Sequence, residues 1–246
     1  MCTVSWLHSS DGYDLLCNRD EKHTRTTAIP PKVDSRGAVR FIAPIDRDFG
    51  GTWLSVNELG VTVCVLNGPT PAALPVNAAS RGTLVLDVAA APSIQAVHAC
   101  LAAKNLTHFA PFTLVALEPR RPSLICEWTG ERLSISENGD AQMPLASSSV
   151  DYKEVRRRRT QEFSRRAAGG VRDATLLWDF HRSHGVSPSA NSTCMHRRDA
   201  ATVSFSWVSI HGDDVRFFYT PAAPCQWAPG ETVVLPRKKN YTSCKC

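Results

Sequence analysis

The sequence has no long hydrophobic run. No segment approaches the roughly 18 consecutive apolar residues that a membrane-spanning helix needs, which excludes a membrane span. The start of the chain also lacks a basic region, and the polar residues at 8–11 interrupt any apolar core, which excludes a secretory signal peptide. We therefore expect a cytoplasmic protein.

The sequence also lacks the pairs of closely spaced cysteines that are typical of zinc sites. It contains nine cysteines, an odd number, and only Cys244 and Cys246 lie close together. We interpret most of the others as buried small apolar residues in a reducing compartment. We interpret the C-terminal pair as two free thiols at a frayed terminus, with a site for a soft metal as the alternative.

Charge of one sign is not in large excess, because the net charge of +5 is too small to indicate nucleic-acid binding. Arginines concentrate between Arg156 and Arg166, in a helix predicted over residues 152–168. One helical face carries the apolar residues Tyr152, Val155 and Phe163, which leaves most arginines in solvent. We interpret this segment as a solvated helix face rather than a nucleic-acid site. The alternatives are a rim that attracts acidic substrates or anionic lipid, and a surface that binds another protein.

Length and composition are typical of one soluble globular domain. The 246 residues can bury a sizeable core, and the contents of 43% hydrophobic and 21% charged residues are ordinary. We expect a single domain over residues 1–246. Its last stretch, residues 221–246, contains four prolines and Gly230, and we interpret it as a peripheral tail.

What the sequence does contain is a cysteine directly after the initiator methionine. Methionine aminopeptidases accept a small residue here, so we expect the mature chain to begin with Cys2. A thiol and a free α-amine would then share one residue. The amine, with a pKa of about 7.7–8.0, can accept the proton of the thiol, the strongest nucleophile among ordinary side chains. The alternative is a small apolar residue at a chain terminus.

A predicted hairpin brings a charged segment close to Cys2. The polar turn at residues 9–12 separates two apolar segments, as in a hairpin of two strands. Residues 18–21 would then end near Cys2. Arg19 is placed to stabilise a thiolate, and Asp20 is placed to hold the terminal ammonium or to orient a substrate amine.

These residues resemble those of a known family. The motif Cys-x-x-x-Trp at residues 2–6, followed by Asn18-Arg19-Asp20-Glu21, is similar to the start of the NRDE, or transport and Golgi organisation 2, family. That family is similar to the N-terminal-nucleophile (Ntn) hydrolases that cleave conjugated bile acids and penicillin V. The further matching blocks are Gly50-Gly51-Thr52-Trp53-Leu54, Asn57-Glu58-x-Gly60-Val61, Leu66-Asn67, Ser80-Arg81-Gly82, Cys194-Met195-His196 and Ala201-Thr202-Val203-Ser204. Together they cover most of residues 1–220 in the family's order.

The resemblance implies an α+β fold, namely a four-layer αββα sandwich of two antiparallel sheets covered by helices on both sides. It implies that Asn18, Arg19 and Asp20 belong to the catalytic group of Cys2. It also implies that Asn67, at the end of a buried strand, donates to the oxyanion. The alternative for Asn67 is a simple turn with the following glycine.

Two further site residues follow from the resemblance. Relatives have Leu-Ser-Asn where Ser136 is followed by Glu137 in this chain, so the second oxyanion donor is predicted to be Asn138 or a backbone N–H. The related hydrolases use an arginine near the start of the last strand pair to support the cysteine, which makes Arg198 the candidate here.

The region before Trp53 is predicted to be a long loop over residues 22–50, broken by one short strand at 39–42. Loops of this length often shape binding sites, so we expect a substrate pocket beneath Trp53. The pair Gly50-Gly51 permits a positive φ angle and a close backbone approach, and a plain tight turn is the alternative.

Helices are predicted over residues 74–91, 92–106 and 173–181. His181 and His184 are interpreted as exposed residues around a helix end rather than metal ligands. The sequence Cys194-Met195-His196 contains residue types that bind haem iron, but its place in a family block favours entry into a strand. No metal site or cofactor is predicted.

Two functions follow from these patterns. The first is hydrolysis of a non-peptide C–N (amide) bond in a small molecule by Cys2. The second is non-catalytic carriage or trafficking of haem or an acyl lipid on the same fold.

Overall fold

The computed structural model describes residues 2–69, 71 and 77–239, and it contains two antiparallel β-sheets that pack face to face. The six-stranded sheet has the spatial order β10-β1-β2-β11-β12-β13. Its strands are β1 (Cys2–His8), β2 (Tyr13–Lys22), β10 (Leu145–Ala146), β11 (Ala200–His211), β12 (Asp214–Thr220) and β13 (Glu231–Pro236).

The seven-stranded sheet follows chain order from β3 to β9, so each strand pairs with the next one along the chain. Its strands are β3 (Ile29–Arg36), β4 (Val39–Ile45), β5 (Leu54–Asn57), β6 (Thr62–Asn67), β7 (Phe112–Leu117), β8 (Leu124–Trp128) and β9 (Leu133–Ser136). Every residue of β7 is buried, because one face packs on the other sheet and the other face packs on helices.

Helices cover the outer face of each sheet. The helices α1 (Gly82–Val88) and α2 (Ile94–Ala102) pack on the seven-stranded sheet, while α3 (Tyr152–Ala167) and α4 (Ala174–His181) pack on the six-stranded sheet. Short 3-10 helices occur at Gly139–Gln142 and Pro224–Gln226. The order of layers is therefore helix, sheet, sheet, helix. This confirms the predicted α+β sandwich.

Side-chain caps define the start of three helices. The side chains of Ser93, Asp151 and Asp173 each accept a hydrogen bond from the backbone N–H three residues later, at the N-termini of α2, α3 and α4 respectively. Such caps satisfy backbone donors that have no partner inside the helix.

None of the described helices has both the length and the apolar character needed to cross a membrane.

The main core lies between the two sheets. In β2, Tyr13, Leu15 and Cys17 point into this core, whereas Leu16 points outward to α3 and α4. The Tyr13 hydroxyl crosses between the sheets and donates a 2.7 Å hydrogen bond to Thr62 Oγ1. This two-residue period of β2 also determines the direction of the residues that follow it.

The structure corrects three expectations about elements. Residues 22–50 are not one long loop, because they contain the hairpin of β3 and β4. Pro30 and Pro31 lie in β3, which is the edge strand of its sheet, and its pairing shifts between Ile29 and Lys32. A proline that cannot donate a hydrogen bond is tolerated at such a position.

The helix predicted over 74–91 is shorter than expected. Within the described residues it forms only α1, and part of the prediction, at 74–76, lies outside them. The predicted tail at 221–246 contains the edge strand β13, which pairs with β12 from Glu231 to Pro236, so residues 231–236 are part of the six-stranded sheet. Residues 240–246, including Cys244 and Cys246, lie outside the described residues.

Candidate active site

A cavity of about 540 Å³ opens between the start of β1, the end of β2 and the end of β6. Four residues singled out from the sequence line it, namely Cys2, Arg19, Trp53 and Asn67. The other four do not line it, namely Asn18, Asp20, Asn138 and Arg198. The predicted hairpin accounts for Cys2 and Arg19, because β1 and β2 pair with Cys2 directly opposite Arg19. Trp53 and Asn67 reach the cavity from the seven-stranded sheet, just before β5 and at the end of β6.

Cys2 is the first residue of β1 and is 5% exposed. Its backbone nitrogen donates a 2.8 Å hydrogen bond to the hydroxyl of Ser147, and the backbone N–H of Ser147 donates to the carbonyl oxygen of Cys2 at 2.9 Å. Ser147 directly follows β10, the strand that pairs with β1. The nitrogen that would become the α-amine after removal of Met1 is thus already held by a hydroxyl group.

The Cys2 thiol is in an environment that favours its protonated form. A hydrogen bond with the Cys17 side chain and burial raise the pKa of Cys2 well above its ordinary value. A thiol of this kind does not ionise by itself near neutral pH. It reacts as a nucleophile when a base beside it removes the proton.

Arg19 forms part of the cavity wall. One guanidinium nitrogen lies 2.8 Å from a carboxylate oxygen of Asp46, and the guanidinium carbon lies 4.6 Å from the centre of the Trp53 ring. Asp46 also binds Arg25 at 2.6 Å. The charge of Arg19 is therefore balanced by a carboxylate. The indole N–H of Trp53 is buried and has no hydrogen-bond partner among the described residues.

Arg81 is a cavity residue to which the sequence patterns gave no role. It donates a 3.1 Å hydrogen bond to the carbonyl oxygen of Pro111 and forms no ion pair with the described part of the chain. Burial lowers the pKa of Arg81, while nearby Cys2 and Glu21 act in the opposite direction. The signal in the sequence was the block Ser80-Arg81-Gly82, which by itself does not indicate where the guanidinium lies.

Asn67 ends β6 on the cavity wall and is half-buried. Its backbone pairs with Phe112 of β7, and the next N–H, of Gly68, donates to the carbonyl of Pro111 at 2.8 Å. A Cβ on Gly68 would lie 2.8 Å from Pro111 atoms, so the glycine is needed for this close approach. The backbone of Asn67 is therefore held at a fixed place in the wall.

Gly51 and Gly82 are in contact at one corner of the cavity. Gly50 has a φ angle of +68°, which favours glycine, and the next residue, Gly51, touches the backbone of Gly82. A Cβ on Gly51 would lie 2.6 Å from the carbonyl carbon of Gly82. The N–H of Thr52 donates to the carbonyl of Gly82 at 3.1 Å. Both uses anticipated for the Gly50-Gly51 pair, the turn and the close approach, occur here.

Asn18 points away from the cavity because successive side chains of a strand alternate. Its amide nitrogen donates to the carbonyl oxygens of His181 and Thr193, both at 2.8 Å. Its amide oxygen lies 3.0 Å from Nδ1 of His181. His181 is fully buried, so the expectation of an exposed histidine at this helix end is wrong. Burial, and then the charge of Arg159, lower the pKa of His181 to about 3, so its ring is neutral.

Asp20 also points toward α3 and α4 and is fully buried. It accepts a 2.7 Å hydrogen bond from the hydroxyl of Thr202, and one of its oxygens lies 3.2 Å from a guanidinium nitrogen of Arg159. Arg159 also bonds to the hydroxyl of Thr3 and is 1% exposed. Of the six arginines of α3, three are exposed, two are half-buried and Arg159 is buried, so fewer of them lie in solvent than predicted. The signal for the burial of Arg159 was its spacing of four from the buried residues Val155 and Phe163.

Asn138 and Arg198 lie outside the cavity and are exposed. Asn138 precedes the 3-10 helix at Gly139–Gln142. Arg198 lies two residues before β11. Neither position is on the wall near Cys2, so neither residue enters the mechanism below.

The profile of the transport and Golgi organisation 2 family matches residues 1–164 of this sequence, two thirds of its length. The chain belongs to this family. No curated protein sequence matches it significantly. The residues that line the cavity all lie within the part that the family profile matches.

Solved structures of Ntn hydrolases have the same fold as this family member. Penicillin V acylase from Agrobacterium tumefaciens superposes with a TM-score of 0.58 and 10% sequence identity, over 96% of this chain and 86% of the acylase. The C2A mutant of conjugated bile acid hydrolase from Clostridium perfringens gives 0.58 and 12%, over 96% of this chain and 92% of the hydrolase.

A third similar structure is the Caenorhabditis elegans orthologue of N-acylethanolamine-hydrolyzing acid amidase. It has a TM-score of 0.57 and 12% identity, over 96% of this chain and 100% of the amidase. At such identities the comparison establishes the fold that the family resemblance implied.

Removal of the Arg159 side chain should strongly destabilise the protein. We expect Arg159→Ala to lower the free energy of unfolding by about 3–5 kcal/mol, because it removes the cation that faces the buried Asp20 carboxylate. Chemical denaturation followed by circular dichroism measures the loss. Arg156→Ala, on the same helix and without an ion pair among the described residues, is the matched control. Equal stabilities of the two variants would show that the buried ion pair is not important.

Proposed function

We propose that this protein is an N-terminal-cysteine hydrolase that cleaves a non-peptide amide bond in a small anionic molecule. The observation that carries the proposal is the position of Cys2. It begins β1 at the wall of the cavity, opposite Arg19, with its backbone nitrogen bound to Ser147. In this arrangement a nucleophile and the base that activates it belong to one residue.

The proposed reaction begins after removal of Met1. The free α-amine of Cys2 takes the thiol proton, and the sulfur attacks the amide carbonyl carbon. The Asn67 side-chain N–H donates to the oxyanion that forms, and the ammonium returns its proton to the leaving nitrogen as the C–N bond breaks. Water, deprotonated by the same amine, then hydrolyses the acyl thioester and releases the acid.

The raised pKa of the Cys2 thiol supports this division of roles. A buried thiol that stays protonated requires a base, and the α-amine has an ordinary pKa of about 7.7–8.0, near the pH at which it must work. Ser147 is placed to orient the amine, while Arg19, held by Asp46, shapes the wall beside the sulfur.

The charges of the cavity wall support an anionic substrate. Its lining includes four cationic side chains, those of Arg19, Lys22, Arg25 and Arg81, against the two carboxylates of Glu21 and Asp46. Arg19 and Arg25 both bind Asp46. Arg81 is the half-buried cation without an ion pair among the described residues, so it is the residue best placed to bind a carboxylate or similar group of the substrate.

The second candidate function is carriage of an acyl lipid without turnover. Apolar groups on the cavity wall favour it, namely those of Phe49, Trp53, Val65, Ala78, Ala79 and Ala110. Haem is less well supported, because Cys2 is the one residue of a type that ligates haem iron among the described residues that line the cavity. A saturable complex with an acyl-CoA that Cys2→Ala leaves unchanged, together with no turnover of any amide by the unaltered protein, would establish the carrier.

Cys2→Ala should abolish amide hydrolysis and leave the fold intact, because the residue supplies the nucleophile. Turnover of a panel of N-acyl amides is the measurement, and Cys100→Ala, which changes an exposed cysteine, is the control. Intact mass should show that active protein begins at Cys2, and rapid quenching with substrate should show an acyl adduct on that residue. Active protein that retains Met1 would refute the mechanism.

Asn67→Ala should lower kcat by about 10²–10³, the usual cost of removing one oxyanion donor. The KM should change little, since the hydrogen bond strengthens mainly in the transition state. Asn138→Ala, an exposed asparagine outside the cavity, should retain full activity. If Asn138→Ala is the more damaging change, the oxyanion lies elsewhere and Asn67 is a turn residue.

Arg81→Gln should discriminate between substrates by charge. We expect kcat/KM for an anionic amide to fall by about 10–100-fold, since a hydrogen bond to a charged group contributes about 1.5–3 kcal/mol. For a neutral amide of the same shape, kcat/KM should remain nearly constant. The control is Arg132→Gln at an exposed site away from the cavity. Equal losses for both amides would contradict recognition of an anion by Arg81.

A further inference from the structure

Two histidines and two cysteines converge outside the cavity that contains Cys2. They are His184 in the segment after α4, Cys194 and His196 before β11, and Cys225 in the 3-10 helix after β12. One ligand atom from each residue can be chosen so that all four lie within 4.8 Å of one another. None of the four residues lines the cavity that contains Cys2.

The distances agree with the edges of a tetrahedral site. Zn–S bonds of about 2.3 Å and Zn–N bonds of about 2.0–2.1 Å place a sulfur and a nitrogen ligand about 3.6 Å apart at tetrahedral angles. Nε2 of His196 lies 3.5 Å from Sγ of Cys194 and 3.4 Å from Sγ of Cys225. The rings of His184 and His196 meet at a centroid distance of 5.0 Å.

One nitrogen of this cluster has no hydrogen-bond partner among the described residues, and most of the cluster is shielded from solvent. Nε2 of His184 is buried and has no hydrogen-bond partner among the described residues. Cys194 is fully buried, and His196 and Cys225 are half-buried, so the cluster lies largely below the protein surface.

We propose that His184, Cys194, His196 and Cys225 bind one Zn²⁺ ion in a closed, tetrahedral structural site. Two thiolates and two imidazoles are the ligand set that Zn²⁺ shares with zinc-finger sites. Four protein ligands leave no coordination position for a substrate, so the ion stabilises the fold rather than taking part in the reaction.

The ion would join segments that are distant in sequence. His184 and Cys194 bracket a segment whose backbone carbonyls bind site-supporting residues: Ala190 accepts from Arg159, and Thr193 accepts from Asn18. Cys225 lies 31 residues beyond Cys194, in the connection between β12 and β13. Zinc would therefore hold the segment between His184 and Cys194 in place against Asn18 and Arg159. It would also connect this segment to the loop between β12 and β13, at the edge of the six-stranded sheet.

The sequence patterns did not indicate this site. We interpreted His184 as an exposed histidine without ligands nearby, and Cys194-Met195-His196 as entry into a strand. The ligands are separated by 10, 2 and 29 positions, and only the fold brings the first and last of them to the central pair. Spacing rules detect zinc sites whose ligands come in close pairs, and this one contains a single close pair.

The test is the zinc content of the full chain after reconstitution with Zn²⁺ and removal of loosely bound metal by gel filtration. We expect one zinc ion per chain by plasma mass spectrometry. C194S/C225S should lose it, whereas C244S/C246S should retain it, which separates this cluster from the two C-terminal cysteines. Treatment with a strong chelator should lower the melting temperature of C244S/C246S and have little effect on C194S/C225S.

Cobalt keeps the proposal testable if C194S/C225S does not fold. In C244S/C246S, Co²⁺ should give the intense visible bands of tetrahedral coordination and a thiolate-to-cobalt charge-transfer band in the near ultraviolet. Addition of Zn²⁺ should remove both. A chain that binds no zinc, zinc that disappears in C244S/C246S, or a weak octahedral cobalt spectrum would each overturn the site.

Discussion

Successive side chains of β2 point to opposite sides of the six-stranded sheet, and this alternation decides what each residue of the Asn18-Arg19-Asp20-Glu21 motif contacts. Arg19 faces the cavity and Cys2. Asn18 and Asp20 face the helices, where buried hydrogen bonds and the Arg159 guanidinium hold them. The motif therefore contributes side chains to both faces of the sheet. A shift of register by one residue would exchange these two environments and leave buried charges unpaired.

The helix layer and the cavity are coupled through this strand. Neutral His181 binds Asn18 on one side and the hydroxyl of Ser5, at 2.9 Å, on the other, so α4 is attached to both β1 and β2. Ser147 binds the same β1 at its first residue from the opposite neighbour. The proposed nucleophile thus lies on a strand that pairs with β10 on one edge and with β2 on the other, and that is bound by α4 on its outer face. Such rigidity suits a reaction in which one residue must supply both sulfur and base.

The order of predicted elements indicated an α+β or layered α/β fold, and the family resemblance was sufficient for the four-layer sandwich. Of the eight residues singled out for the site, Cys2, Arg19, Trp53 and Asn67 line one cavity, and their roles in it stay predictions. Sequence patterns did not identify Arg81, Ser147 or Arg159, because the partners of these residues are distant in sequence, at 30, 145 and 139 positions respectively. Nor did they identify the hairpin over residues 29–45, where two prolines obscured an edge strand. Local patterns report periodicity, whereas these contacts depend on how layers stack.

The contact between Gly51 and Gly82 limits how the opening of the cavity can be altered. At this corner two stretches of main chain touch directly, with no side chain between them that could be enlarged or trimmed. Substitutions that reshape the opening must therefore fall at other lining residues, such as Phe49, Lys22 or Ala110. Any redesign of the cavity would keep both glycines and change the residues around them.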